Sequence, residues 1–236
     1  MIDRLLALQR EGGRGVVLTV VAGPDAGAKL LVLEGGETVG GGPAELAGHA
    51  DELIRGARNR TLELGGRTVF GEVYAPPPRL LVYGAVDTAE ALAALAKQLG
   101  WRTVVADARA RFATRERLPS ADEVVVAWPD EAFAQVAPDH ATAIVILTHD
   151  DKFDLPALEL ALASDAFYIG LIGGRRNQER KRERLREAGV SEEAIARISG
   201  PTGLDLGAEA VPEVALSILA EALAVRNGRD GGRLSG

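Results

Sequence analysis

The chain has 236 residues, 47% hydrophobic and 26% charged, enough for one large domain or two smaller ones with a buried core. A net charge of −7 argues against a general nucleic-acid binder, and the lack of cysteine excludes disulfides, thiolate metal sites and cysteine nucleophiles. No stretch reaches the roughly 20 apolar residues of a membrane span, and the amphipathic opening MIDRLLALQREGGRG lacks a secretion signal's apolar core, so a cytoplasmic protein is expected.

Taken in chain order, GVVLTVVAG (15–23) and AKLLVLEGG (28–36) are β-rich runs around a Gly/Pro/Asp turn. Residues 43–57 predict a helix, and 61–74 predict a hairpin turning at Gly65-Gly66. Residues 1–75 are therefore expected to form a small α+β domain. Three prolines in APPPR make 76–79 a stiff linker. Beyond them the rhythm alternates. Strands are predicted at 80–83, 102–106, 123–127, 143–148 and 167–172, with helices at 88–99, 155–164, 175–188 and 212–225. Such alternation implies an α/β domain over 80–226, a parallel sheet with helices on both faces that binds ligands at the carboxyl ends of its strands. Residues 227–236 read as a flexible tail.

The loops after the strands are where chemistry is sought. After the first strand, Gly84-Ala85-Val86-Asp87-Thr88-Ala89 has the first glycine and a permitted last alanine of a dinucleotide turn. Val86 stands where phosphates would pass, and Asp87 places a negative charge at the helix start, so NAD(P) is disfavoured. Asp87 with Glu90 resembles a capping box. Asp107, ending the second strand, stands where an acid could grip a ribose.

The strand 143–148 runs into Thr148-His149-Asp150-Asp151-Lys152. His149 could transfer protons, and Asp150 and Lys152 could orient a polar ligand. Asp154 is expected as the helix cap, Asp151 as solvated, and His49 and His140 as surface or loop residues that leave no metal site. The last long strand runs into Gly173-Gly174-Arg175-Arg176. Glycines at a helix start beside two guanidiniums form an anion-binding arrangement, a better phosphate candidate than the first turn. The charged run through Arg186 reads as a solvated helix with i,i+4 pairs. Gly200, Pro201, Gly203 and Gly207 shape a loop around Asp205 that closes over the sheet edge or simply connects.

These segments together resemble the XdhC/CoxI family, accessory proteins of xanthine dehydrogenase and related molybdenum hydroxylases. The likeness runs from FGEVYAPPPRLLVYGAVDTA through DAR, LTHDDKFD, GLIGGRR, REAGVSEE and GPTGLDLGAE to PEVALSILAE. It implies a Rossmann-like C-terminal domain behind a small N-terminal one. It also implies a chaperone that binds molybdenum cofactor, of molybdopterin type, and assists its maturation or insertion into an apo-hydroxylase. Carried over by motif, Gly84, Asp107, Arg109, His149, Asp150, Lys152, Gly173, Gly174, Arg175, Arg176, Gly203 and Asp205 become cofactor-binding candidates. Two departures stand out. The family's S-G-G-C-x-E segment is VGGGPAEL here, with Pro43 and no thiol, so a sulfur-handling role is either lost or supplied by a partner sulfur-transfer protein; and G-S-R-R is GGRR.

Three functions follow from this reading. The first is the cofactor chaperone, for which no nucleophile is needed and no catalysis is required. The second is an NAD(P)-dependent oxidoreductase with His149 as acid/base. The third is a non-catalytic scaffold that has lost ligand binding. A homodimer is the default oligomer.

Overall fold

The computed structural model describes residues 1–235; the last residue of the expected tail lies outside the described residues. The chain forms two compact units, Met1–Pro76 and one running from Pro77 to the end of the described residues.

The first unit opens with helix α1 (Ile2–Glu11), closed by Gly12 in a left-handed conformation. Strands β1 (Gly15–Ala22), β2 (Lys29–Leu33), β3 (Thr38–Gly40), β4 (Arg60–Leu64) and β5 (Arg67–Tyr74) form one antiparallel sheet in the order β3-β2-β1-β5-β4. The β4–β5 hairpin turns at Gly65-Gly66, both at positive φ, as two-residue hairpins with a primed turn require. The single helix expected over 43–57 is two pieces, a 3-10 stretch Ala44–His49 and helix α2 (Ala50–Gly56). The break falls at Gly48-His49, where glycine propagates a helix poorly. Leu46, Leu53 and Ile54 are buried against Val16, Leu18 and Val69 of the sheet.

The second unit has six strands, all parallel. They are β6 (Arg79–Tyr83), β7 (Arg102–Ala106), β8 (Glu123–Val125), β9 (Thr142–Ile146), β10 (Tyr168–Leu171) and the two-residue β11 (Ile198–Ser199). Helices α3 (Asp87–Gln98), α4 (Pro129–Val136), α5 (Asp151–Ala163), α6 (Arg175–Glu187), α7 (Glu192–Ile195) and α8 (Val211–Arg226) connect or follow them. The sheet order is β11-β10-β9-β6-β7-β8, so the winding reverses between β6 and β9. That is the doubly wound arrangement, and its switch point lies at the carboxyl ends of β6 and β9.

Alternation along each strand feeds two cores. Leu81, Tyr83, Ile144 and Ile146 face Phe133, Leu158 and Leu185 of α4, α5 and α6. Leu80, Val82, Ala143 and Val145 face Leu92 of α3 and Ile218 and Leu219 of α8. Both faces are covered, so the strands read as continuous apolar runs rather than alternating ones. Each such buried aliphatic side chain contributes about 1.5–3 kcal/mol.

Candidate functional site

The turn after β6 is built tightly. Gly84 has φ +117°, and a Cβ there would lie 3.0 Å from the Leu147 carbonyl carbon and from the Thr148 amide nitrogen. Only glycine lets the β6 and β9 loops approach this closely at the switch point. The amides a dinucleotide would use are engaged. Ala85 N–H donates to Asp107 Oδ2 at 2.8 Å, and Val86 N–H donates to the Gly84 carbonyl at 3.0 Å. Helix α3 starts at Asp87 with Val86 as its cap, so the expected Asp87–Glu90 capping box does not form. Asp87 instead pairs with Arg117 at 3.2 Å, and Glu90 accepts from the Ser120 amide at 3.2 Å. Both acids are drawn to the segment between β7 and β8, a tertiary partner that local pattern does not reveal.

Asp107 is 1% exposed and saturated. Beyond Ala85 it accepts from the Arg109 amide at 2.9 Å, from Arg109 Nε at 2.9 Å and from Nη2 at 2.7 Å. Burial pushes its carboxyl up, but the guanidinium and the two amides outweigh burial and hold it below the usual carboxylate range. Arg109 is raised in turn by the same carboxylate and also feels the charge of Asp150. The Gly84, Asp107 and Arg109 candidates therefore form one closed cluster.

The turn after β9 presents His149 at φ +59°, a left-handed conformation uncommon outside glycine, with its side chain exposed. Helix α5 begins at Asp151, four residues earlier than expected, and Asp150 caps it by accepting from Lys152 N–H at 3.0 Å. Pro156 falls inside the helix rather than in its first turn. Asp154, expected as the cap, is fully buried and bonded to Thr148 Oγ1 and Lys181 Nζ. Asp151, expected as solvated, pairs with Arg180 at 3.1 Å and Arg184 at 3.0 Å. Helix α6 is accordingly not a freely solvated run of i,i+4 pairs. Its Lys181 is 1% exposed, and Arg182 donates to the Ile198 carbonyl at 3.0 Å. Arg186 pairs with Glu179, Glu183 and Glu192.

The turn after β10 opens a cavity of about 790 Å³ lined by Gly174, Arg175, Arg176, Asn177 and Arg180. Gly173 takes φ +121° and Gly174 caps α6 in an extended conformation. No acid lies in the first turn of α6. Arg175 and Arg176 are exposed, and no acid pairs with either among the described residues. Arg180 is held by Asp151 and by Asn177 Oδ1 at 2.8 Å. Beneath them Gln178, 3% exposed, donates to the carbonyls of Leu171, Ile172 and Gly173 at 2.9–3.2 Å and so braces the strand end. A 13-residue helix aiming its N-terminus and two unpaired guanidiniums into one cavity suits an anion.

The loop carrying Gly203 and Asp205 is tied down from below. Tyr168 Oη lies 2.5 Å from Thr202 Oγ1 and also donates to Glu221, which accepts the Gly203 amide at 2.8 Å. Burial and the neighbouring Glu221 carboxylate raise the Tyr168 phenol. Asp205 itself is exposed. Of the expected residues, then, Gly174, Arg175 and Arg176 share a cavity, and Gly84, Asp107 and Arg109 share a hydrogen-bonded cluster. Sequence reasoning missed Asn177, Arg180 and Lys181, and misplaced Asp154. Asn177 directly follows the GGRR motif and Arg180 lies one helical turn beyond Arg176, a spacing that could have found them.

Over about two thirds of its length the chain resembles several known proteins. It is 33% identical over 168 residues to an uncharacterized protein YqeB of Escherichia coli K12, covering 71% of this chain and 31% of that one. Identity is 28% with a Bacillus subtilis protein named as a probable subunit of xanthine dehydrogenase, covering 67% and 46%. It is 31% with the E. coli molybdenum cofactor insertion chaperone PaoD, covering 65% and 42%. The chain thus spans less than half the length of each of these relatives. A crystal structure described as a xanthine dehydrogenase from Bacillus halodurans superposes with a TM-score of 0.73 at 22% identity, covering 96% of this chain and 66% of that one, which shows a shared fold. With residues 80–222, well over half of the 236, matching the model described as the XdhC Rossmann domain, the chain belongs to the XdhC family.

Proposed function

We propose that this chain is a carrier that binds molybdenum cofactor as cargo and assists its maturation or insertion into an apo molybdenum hydroxylase in the cytoplasm. The observation that carries this reading is the cavity of Gly174, Arg175, Arg176, Asn177 and Arg180. The cargo is a pterin bearing an anionic phosphate. The Arg175 and Arg176 amides at the start of α6 and both guanidiniums would hold that phosphate, while Asp151 and Asn177 fix Arg180 at the rim. The names of two relatives, a probable subunit of xanthine dehydrogenase and a molybdenum cofactor insertion chaperone, support the same cargo. Binding and release need no bond to be made or broken. Sulfur handling would rest with a partner, because the chain has no cysteine.

The nicotinamide reading fares worse. In the first turn the Ala85 amide is already spent on Asp107, and that carboxylate has no free lone pair directed at a ribose. The test is anaerobic titration calorimetry with molybdenum cofactor, with NAD(H), NADP(H) and CTP beside it. Micromolar or tighter binding of the cofactor that Arg175→Ala/Arg176→Ala weakens at least tenfold supports the carrier. Binding of a nicotinamide nucleotide alone would replace it with an oxidoreductase, and silence toward every ligand with a scaffold.

A further inference from the structure

At the carboxyl edge of β7, β8 and β9 stands a cluster that the phosphate cavity does not include. Of the chain's two tryptophans and five phenylalanines, Trp128, Phe112 and Phe153 gather here with four cations. Trp128 follows β8 as the residue before α4, and its ring packs on Phe153 at 5.2 Å. The Lys152 ammonium lies 4.6 Å from the Trp128 ring centre and 5.6 Å from that of Phe153. The Phe112 ring has Arg109 and Arg111 at 4.6 Å and Arg117 at 5.2 Å.

Two features separate this cluster from ordinary packing. Trp128 is 44% exposed, whereas Phe153 is 7% exposed and the other tryptophan, Trp101, only 4%. The charges are also unbalanced. Arg109 is matched by Asp107, with the charge of Asp150 also acting on it, and Arg117 by Asp87. Lys152 and Arg111 pair with no acid among the described residues. A half-exposed tryptophan beside a lysine that no acid holds, in a chain of net charge −7, is a poor surface and a good recognition shelf.

We infer that Trp128, with Lys152, forms a stacking subsite for a flat heterocycle carrying an anionic group. The electron-rich indole stacks on an electron-poor ring, and the Lys152 ammonium moves aside to take its negative substituent. This shelf is separate from the cavity after β10. None of Trp128, Lys152 and Arg111 is among the residues that line that cavity. The inference rests on the carrier reading for its cargo, and the chemistry it names is shared by a pteridine and by a nucleotide base.

Because Trp101 is buried, Trp128 dominates the part of the tryptophan fluorescence that iodide can quench. The full chain is titrated with pterin-6-carboxylate, CTP, molybdenum cofactor and inorganic phosphate, with calorimetry fixing saturation. The expected result is that pterin-6-carboxylate, CTP or both at least halve the iodide-accessible emission, and which one does so identifies the source of the ring. Phosphate does not. Trp128→Ala should weaken the protecting ligand's affinity roughly ten- to a hundredfold, the range of base stacking on an aromatic side chain. Trp128→Phe, which keeps a stacking ring, should stay within about threefold.

A saturating ligand that leaves Trp128 open to iodide, equal protection by phosphate, or an unchanged affinity in Trp128→Ala would each overturn the subsite. If the cofactor gives no heat while pterin-6-carboxylate or CTP still protects Trp128, the carrier reading fails and the shelf stands. No heat from any ligand overturns both.

Discussion

Lys181 of α6 delivers its ammonium to Asp154 of α5, and both side chains are sealed from water, at 1% and 0% exposure. The same carboxylate accepts from Thr148 Oγ1, and that oxygen accepts from the Asp150 amide at 3.3 Å. A buried ion pair thereby anchors the turn that presents His149. Removing one partner strands the other as an uncompensated buried charge, so Lys181→Met should cost about 3–5 kcal/mol. The double variant Lys181→Met/Asp154→Asn should recover most of that loss. Urea unfolding followed through the buried Trp101 reads both, and a double variant no more stable than Lys181→Met would disprove the pairing's role.

Gly84 is required by geometry rather than by chemistry. Its φ of +117° is strained for any residue with a Cβ, and the added carbon would press at 3.0 Å on the Leu147–Thr148 backbone. Gly84→Ala should destabilise the second unit by about 1–3 kcal/mol, lowering its melting point by roughly 2–4 °C per kcal/mol. Calorimetric melting checks it; an unchanged melting point would mean the two loops are free to move apart.

Asp107 links the fold to pH. Its folded carboxyl sits below the usual value because Arg109 and two amides outweigh burial. The unfolded chain therefore binds this proton more readily than the folded one. The stabilisation is complete above about pH 4, the ordinary value for an aspartate, and is lost as pH falls through the folded value. Asp107→Asn should flatten the fall of melting temperature between about pH 5 and pH 2, the range over which such a contribution is withdrawn. A variant whose acid limb parallels that of the parent would show that other carboxylates govern acid unfolding.

The parallel architecture was legible because strands buried on both faces must be apolar throughout, as Leu80–Val82 and Ala143–Leu147 are. The GGRR turn was legible because a glycine at a helix start is a local feature. What escaped depends on distant partners. Asp154 read as the helix cap and Asp150 as a ligand residue; Asp150 is the cap, because Asp154 is drawn inside by Lys181, 27 residues after it. Lys181 itself sits in RRNQERKRER, where every position looks solvated and only the distant Asp154 carboxylate accounts for a buried lysine. Asp107 read as a ribose ligand, and no local pattern shows that Arg109 would fold back on it with both arms. Strand β11 pairs through two residues, too few for periodicity to register.

His149 is where conformation and chemistry separate most cleanly. A left-handed backbone costs a side-chain-bearing residue about 1–2 kcal/mol, and at φ +59° His149 bears that cost on an exposed turn. If the turn is held for what it presents, the backbone and the imidazole should be separable by substitution. His149→Gly relieves the strain and should leave stability unchanged or raise it by up to about 1 kcal/mol, glycine's extra chain entropy offsetting part of the gain. His149→Val, β-branched and poorly tolerated here, should lower stability by about 1–2 kcal/mol. Neither variant touches Arg175 or Arg176, so phosphate affinity at the α6 cavity should survive in both. A loss of cofactor affinity in His149→Gly, with its stability intact, would then assign the imidazole to the cargo. Full affinity in that variant would leave the strained turn as a consequence of packing Thr148 onto Asp154, and the candidate residue would drop from the site.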